Sequence, residues 1–178
     1  MWTKQSSKLC YSHPFLNVFE DDIILLNGEQ INFSRLDLPD FVTVLPLTTN
    51  KIVMVRNYRY PANQWFLELP SGIKEKEETP EQCARRELSE ETGYTGTFSY
   101  VTWYYPIDRS LQKAYIFLAN HLHEGSPNRD KTENQQIIKM PVNQLLNELE
   151  KGKIKHAPTI IAISICKKIL CAHPVCEY

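Results

Sequence analysis

The stretch GIKEKEETPEQCARRELSEETGY, residues 72–94, decides the fold of this chain of 178 residues. Its second half predicts a helix with a clear beginning and a clear end. Thr79 is a favourable N-cap residue, Pro80 suits the first helical position, and Gln82 completes a capping box. Gly93 supplies the left-handed conformation that ends many helices. We therefore expect a loop followed by a sharply bounded helix.

The predicted helix, residues 80–92, carries three glutamates on one face, because Glu87, Glu90 and Glu91 stand at i, i+3 and i+4. Like charges at this spacing repel by roughly a few tenths of a kcal/mol per pair. The negative end of the helix dipole also disfavours acids in the last turns. A divalent cation would reverse both penalties, and hard oxygen ligands suit Mg²⁺ or Mn²⁺. The acids are therefore candidate metal ligands, although a Glu-rich helix more often presents a solvated acidic face.

The residues around these acids favour a built site over a solvated face. Ala84 and Leu88 form a narrow apolar stripe that would dock the helix on a sheet. Arg86 can brace a neighbouring carboxylate, either Glu78 or Glu90. The loop and helix together would then present the acids beside the end of a strand, where a substrate could reach them.

The complete segment reads Gly72, five residues, Glu78, seven residues and then RELSEETGY at 86–94. This pattern resembles the Nudix box, with its glycines, arginine, glutamates and apolar positions all occupied. Gly72 would let the preceding loop turn tightly against the helix. The resemblance implies an α+β Nudix fold, in which a mixed β-sheet is sandwiched between α-helices as an α/β/α sandwich. It also implies hydrolysis of a nucleoside diphosphate linked to another group.

The same resemblance assigns functional residues within and beside the box. Glu87, Glu90 and Glu91 would bind Mg²⁺, with Mn²⁺ as a substitute, and the Ser71 carbonyl would add a backbone ligand. Arg86 would belong to the same catalytic group. Divalent ions neutralise the charge of a pyrophosphate, lower the pKa of a bound water and orient in-line attack. The number of metal ions stays open.

Flanking segments resemble one branch of this family, the ADP-ribose pyrophosphatases. VRNYRY at 55–60 and WFLELPSG at 65–72 resemble the strand pair that precedes the box in that branch. GKI at 152–154 and APTIIA at 157–162 resemble its closing helix. Enzymes of this branch are usually dimers whose N-terminal strands help to build the partner's site, so the resemblance also implies a homodimer.

This branch resemblance assigns substrate-binding residues outside the box. Arg59 would bind the phosphates, a role that suits a planar guanidinium, and Arg56 is a second candidate. Glu68 would be a polar substrate contact, or else would face solvent or pair with Arg56. Pro106 would belong to a substrate-contacting turn, or would be an ordinary turn proline. Because this turn lacks the usual Ser-Pro-Gly-like sequence, other nucleoside diphosphate sugars, GDP-mannose among them, stay open.

The family also uses an acid on a later loop as a metal ligand or general base. The polar segment 125–134 is the candidate, since loops of this kind often carry function. Glu133 is the preferred base and metal ligand in this segment, and Asp130 is the second choice. Either acid could instead be a solvated loop residue.

Beyond the box, β-branched residues and turn signals predict further elements. Asn27-Gly28 predicts a hairpin between strands at 23–26 and 30–36. A short strand at 65–69 is expected to end at residues 70–72. The other predicted strands lie at 41–47, 51–58, 97–104, 113–119 and 136–140, and the other helices at 142–151 and 157–171. We expect an N-terminal strand element at 1–40, with a dimerisation role, and the hydrolase domain at 41–178.

Composition excludes several partners. The net charge is −1, with acidic and basic residues interleaved, so no nucleic-acid partner is indicated. No apolar run is long enough to cross a membrane, and no signal peptide precedes the domain, so a cytoplasmic location is expected. Cys171, His173 and Cys176 lack a fourth zinc ligand at a recognisable spacing, and reduced thiols are the preferred interpretation.

The sequence therefore predicts Mg²⁺-dependent cleavage of ADP-ribose, or of a related sugar nucleotide, to a nucleoside monophosphate and a sugar phosphate. One alternative keeps this chemistry and changes the substrate to a dinucleoside polyphosphate, NADH, coenzyme A or an oxidised nucleotide. Another is a Nudix-fold module that senses a nucleotide without hydrolysing it.

Overall fold

Strands separated by a few helices make this an α+β protein, as predicted. The structure is a computed structural model that describes residues 1–127 and 135–172. The strands are β1 (Thr3–His13), β2 (Leu16–Ile24), β3 (Gln30–Asp37), β4 (Phe41–Pro46), β5 (Lys51–Arg59), β6 (Gln64–Glu68), β7 (Ser71–Ile73), β8 (Tyr94–Tyr104), β9 (Ala114–Glu124) and β10 (Gln135–Pro141). The α-helices are α1 (Pro80–Thr92), α2 (Val142–Glu150) and α3 (Ala157–Cys171). No helix in the described ranges is long and apolar enough to span a bilayer.

The chain forms two compact units, Met1–Asp40 with Tyr104–Ala114, and Phe41–Trp103 with Tyr115–Tyr178. In the first unit, β1, β2 and β3 form an antiparallel sheet in that order. The predicted hairpin joins β2 to β3, and Gly28 in its turn has a φ of 86°. β1 was not predicted, because its polar sequence TKQSSKLCYSH lacks apolar alternation. The functional division at residue 40 stays a prediction.

The second unit contains two sheets, with strand orders β7-β4-β9-β8 and β10-β5-β6. Both α1 and α3 pack against β4. Val42 and Val44 of β4 join Ala84 and Leu88 of α1 in one buried cluster, so the predicted apolar stripe does dock the helix. This cluster fixes the helix that carries the acids.

Helix α1 begins and ends as the sequence predicts. The Thr79 side chain accepts a hydrogen bond from the Gln82 backbone N–H at 3.2 Å, and the Gln82 side chain accepts one from the Thr79 N–H at 2.7 Å. Gly93 has a φ of 76°, and its N–H bonds to the Ser89 carbonyl at 2.8 Å. The helix is therefore held at both ends by its own sequence.

The strand predicted at 65–69 ends at Glu68, close to the predicted end, and the chain then forms β7, which was not predicted. Ser71 pairs with Thr43 of β4, and the Pro70 carbonyl accepts a hydrogen bond from the Val44 N–H at 2.9 Å. The Leu69 N–H donates to Thr159 of α3 at 2.9 Å. These bonds let the chain pass directly from the β6 sheet to the β4 sheet without a free turn. Strands β8 and β9 are also longer than predicted. Their additional residues are largely polar or exposed, so the apolar pattern did not indicate a strand there.

The described cysteines are free thiols, as expected. Cys83 and Cys166 are buried, and burial raises the pKa of both thiols. His173 and Cys176, the other members of the rejected zinc cluster, lie outside the described residues.

Candidate active site

Arg86 is the centre of the acidic cluster on α1. Its Nη2 donates to Glu78 Oε1 at 2.7 Å, and its Nη1 donates to Glu87 Oε1 at 2.7 Å and to Glu90 Oε2 at 3.0 Å. Nη2 also donates to the Ile73 carbonyl at 3.0 Å. The prediction that Arg86 braces Glu78 or Glu90 is confirmed for both residues. One guanidinium therefore ties the helix to the loop that precedes it.

These contacts favour the charged forms of Glu78 and Arg86. The hydrogen bonds from Arg86 lower the pKa of Glu78 to about 2, and the Glu75 backbone N–H, 2.7 Å away, contributes to the lowering. In return, Glu78 and Glu87 raise the pKa of the Arg86 guanidinium further. Because Glu90 and Glu91 are on the same helix, the carboxylates outnumber this single cation. The cluster has an excess of negative charge.

Glu91 is the buried member of the acidic group, with 5% of its surface exposed. Its Oε2 accepts a hydrogen bond from the Ser71 backbone N–H at 3.1 Å, and its Oε1 accepts one from Gln135 Nε2 at 2.9 Å. Neutral donors therefore orient this carboxylate from β7 and β10. Gln135 was not predicted as a site residue, because a glutamine at the start of a strand has no distinctive spacing.

Gly72 lies directly against the end of the Glu87 side chain. A Cβ at this position would lie 1.9 Å from the carboxyl carbon of Glu87, far inside van der Waals contact. The residue lies in strand β7 and outside the left-handed region. The predicted reason for this glycine, a tight turn of the preceding loop, is therefore wrong. Its missing side chain instead makes room for the Glu87 carboxylate against the strand.

The donor set fits a divalent cation chemically. Glu87, Glu90 and Glu91 offer hard oxygen atoms, and the backbone of Ser71 lies beside Glu91. Across residues 1–127 and 135–172, no three acidic, histidine or cysteine side chains converge closely enough to enclose a cation as they stand. The Glu90 side chain is 40% exposed, so a cation could approach it from solvent and replace its bond to Arg86. The excess negative charge would favour that exchange.

A second charged cluster lies on the sheet of β5 and β6. Glu68 is 1% exposed and accepts two hydrogen bonds from Arg59, from Nε at 2.7 Å and from Nη2 at 2.5 Å. The alternative pairing of Glu68 with Arg56 is therefore wrong. Arg56 is three positions from Arg59, so it projects from the opposite face of β5, and its guanidinium lies 5.8 Å from the centre of the Trp65 ring. The structure thus brings Arg59 and Glu68 together and leaves Arg56 elsewhere.

His156 adjoins this second cluster, although the sequence did not single it out. Its Nδ1 lies 3.9 Å from Glu68 Oε2 and 2.9 Å from the hydroxyl oxygen of the buried Thr159. Burial lowers the pKa of His156, and the nearby Glu68 carboxylate opposes this effect. His156 therefore brings the N-terminus of α3 close to the Arg59–Glu68 pair. His156 was not predicted as a site residue, because a histidine directly before a helix commonly has a purely structural role.

The other predicted site residues are Pro106, Glu133 and Asp130. Pro106 follows β8 and belongs to the first compact unit. Glu133 and Asp130 lie outside the described residues, and their roles stay predictions.

Several known proteins resemble this chain in sequence or in fold. The chain is 30% identical over 158 residues to the ADP-ribose pyrophosphatase of Bacillus subtilis (strain 168), covering 86% of this chain and 85% of that protein. It is 32% identical over 150 residues to the methanol dehydrogenase activator of Bacillus methanolicus, covering 80% of each. A solved structure, described as the crystal structure of ADP compounds hydrolase, shares the fold with a TM-score of 0.85, at 20% identity over 95% of this chain and 94% of that one.

The NUDIX domain family matches residues 38–162, which include both charged clusters. The shared fold confirms the expected Nudix architecture of a mixed sheet with helices packed against it. Nudix hydrolases generally act on small nucleotide substrates with the help of divalent metals. The chain therefore belongs to the Nudix family, and it is a hydrolase of the pyrophosphatase type related to the ADP-ribose and ADP-sugar pyrophosphatases.

Proposed function

We propose that this enzyme cleaves the diphosphate of a nucleoside diphosphate sugar, ADP-ribose first among them, in a Mg²⁺-dependent reaction. The products are a nucleoside monophosphate and a sugar phosphate. One observation carries the proposal: the buried Glu91 carboxylate shares a helix face with Glu87 and Glu90, in a chain that resembles an ADP-ribose pyrophosphatase over most of its length.

The residues present would hold the metal at the exposed side of this helix face. Glu87, Glu90 and Glu91 would supply carboxylate oxygens, and the Ser71 carbonyl would complete the set from β7. When bound, Mg²⁺ supplies charge neutralisation and a lowered pKa for a coordinated water. Gln135 and the Ser71 N–H keep Glu91 oriented. Arg86 holds Glu87 and Glu90 in place through its ion pairs with both.

Arg59 would bind the substrate diphosphate, and Glu68 would position Arg59. The two hydrogen bonds to Glu68 use Nε and Nη2, which fixes the plane of the guanidinium. Glu68 is almost completely buried, and both its carboxylate oxygens contact Arg59. Glu68 would therefore position Arg59 and would not contact the substrate directly. A guanidinium held in one plane binds phosphate oxygens with less loss of conformational entropy.

A substrate panel tests the reaction. The purified enzyme is incubated with ADP-ribose, GDP-mannose, NADH, diadenosine tetraphosphate and coenzyme A, and products are detected by phosphatase-coupled phosphate release. We expect turnover only with Mg²⁺ or Mn²⁺, and a kcat/KM for ADP-ribose at least about tenfold above the others, a difference of about 1.4 kcal/mol in transition-state binding. A different best substrate would refute the ADP-ribose assignment and keep the chemistry. Binding of ADP-ribose without product over hours would favour the sensor alternative.

The Glu68→Gln variant tests the positioning role. The amide keeps the shape of the side chain but removes the charge that holds Arg59, so we expect the KM for ADP-ribose to rise about tenfold while kcat stays within about threefold. Steady-state kinetics at saturating Mg²⁺ gives both values. Glu124→Gln is the control, because it removes an exposed acid paired with Lys139. A fall in kcat at unchanged KM would contradict this role.

Three further expectations remain predictions beside this proposal. They are the cytoplasmic location, the homodimer, and the role of Glu133 as general base.

A further inference from the structure

A basic segment connects α2 to α3 in the second unit. Its sequence is KGKIK at 151–155, and Gly152 turns the chain there with a φ of 63°. Ile154 is 3% exposed and anchors the segment in the core, whereas Lys151, Lys153 and Lys155 are exposed. The segment therefore presents three ammonium groups around one buried anchor.

These lysines border a cavity of about 440 Å³, which we call the lysine pocket. Its walls are Gln64, Trp65, Phe66, Leu67, Lys151, Gly152, Lys153 and Lys155. Trp65 is 38% exposed, so part of its indole ring is accessible from the pocket. The volume falls within the range of small-molecule sites, which is roughly 300 to 1,000 Å³.

The lysine pocket has an excess of positive charge. Lys153 Nζ lies 3.2 Å from Glu148 Oε1. In the part of the chain that the structure describes, neither Lys151 nor Lys155 has an ion-pair partner. Arg56 adds a further cation beside Trp65. The positive charges around the lysine pocket attract an anion, and a bound anion would offset the repulsion between them.

The combination of cations and an exposed indole defines the ligand class. Ammonium groups bind phosphate as point charges, and an indole face stacks on a planar base. We propose that the lysine pocket is a second ligand site, which binds a phosphomonoester carried on an aromatic base, as in a nucleoside monophosphate. Trp65 and Glu68 are three positions apart in β6, so their side chains lie on opposite faces of the sheet. Trp65 therefore shares the face of Arg56 and not that of the Arg59–Glu68 pair. Gln64 and Phe66, which also line the pocket, lie on the face of that pair. The three lysines belong to the segment between α2 and α3 and have no part in the proposed hydrolysis, so the inference goes beyond the proposed function.

Isothermal titration of AMP into the full-length enzyme tests this site. The buffer contains EDTA, so that divalent-dependent binding at the box does not contribute. We expect wild-type protein to bind AMP, and the Lys151→Gln/Lys155→Gln variant to bind at least about tenfold more weakly. The Lys167→Gln/Lys168→Gln variant is the matched control, because it removes the same charge from exposed positions on α3, and its affinity for AMP should be unchanged.

Two partial ligands separate the phosphate from the base. Inorganic phosphate and adenosine should each bind more weakly than AMP, and Trp65→Leu should weaken AMP and adenosine but leave phosphate unchanged. Equal AMP affinity in the wild-type protein and the Lys151→Gln/Lys155→Gln variant would overturn the proposal, as would a wild-type protein that does not bind AMP. Phosphate binding as tightly as AMP would overturn the base-stacking part. Because no turnover is measured, these outcomes are independent of the substrate panel.

Discussion

Glu91→Gln should lower kcat for the preferred substrate by a factor on the order of 10³, equivalent to about 4 kcal/mol of transition-state stabilisation. The substitution removes the charge of a buried carboxylate with almost no change in shape. It should also leave the fold intact, because the Gln135 amide can rotate by 180° and again satisfy the new side chain. Turnover at saturating Mg²⁺ and the midpoint of thermal unfolding, measured on the same preparation, separate these two effects.

Glu81→Gln is the matched control for this variant. Glu81 lies on the same helix, but its side chain is 51% exposed and pairs with Arg85. We expect its turnover to stay within about twofold of wild type, because an exposed pair of this kind contributes at most about 1 kcal/mol to stability. If Glu91→Gln folds and retains more than a tenth of wild-type turnover, Glu91 is not an essential ligand. If it does not fold, Glu90→Gln provides the same test at a partly exposed carboxylate.

Arg86→Gln should lower the free energy of unfolding by about 2–3 kcal/mol at pH 7 in the absence of divalent cations. The variant leaves Glu78, Glu87 and Glu90 without their shared donor, and the Ile73 carbonyl loses its bond as well. The figure is below that of a fully buried pair because the Arg86 side chain is 27% exposed. Urea unfolding monitored by tryptophan fluorescence gives the difference directly.

The difference in unfolding free energy between wild type and Arg86→Gln should depend on pH below the usual pKa of Glu78, 4.5. The folded pKa of Glu78 is about 2, below its usual value of 4.5, so the Arg86 contact stabilises the protein fully above pH 4.5. This contribution disappears as the pH falls from 4.5 towards 2. The difference between wild type and Arg86→Gln should therefore be smaller at pH 3 than at pH 7. The matched control is Arg85→Gln, whose partner Glu81 is exposed, and a difference unchanged between the two pH values would contradict this account.

The sequence predicted the parts of the structure that depend on local chemistry. The capping box of Thr79 and Gln82, the left-handed Gly93 and the brace formed by Arg86 all depend on residues close in the chain. Steric and hydrogen-bonding rules for neighbouring residues are sufficient to predict such features. The Gly28 hairpin was predicted for the same reason.

Contacts between distant segments were not predictable from spacing alone. Glu68 pairs with Arg59 because Val55 lies opposite Glu68 in the β5–β6 register, which places the two charged side chains on one face. Gln135 is 44 positions from Glu91, and only the position of β10 beside β5 brings them together. The strand character of β7 likewise depends on its pairing with β4. Such contacts follow from strand order, which a single sequence does not specify.

The C-terminal end of α1 also fixes the chain on both sides of residues 128–134. The Gly125 N–H donates to the Gly93 carbonyl at 2.9 Å, and Gln135 contacts Glu91. A Cβ on Gly93 would lie 2.5 Å from the Gly125 carbonyl oxygen, so this approach needs glycine. A side chain at position 93 would therefore disturb the end of α1 directly beside Glu91, the buried acid of the helix.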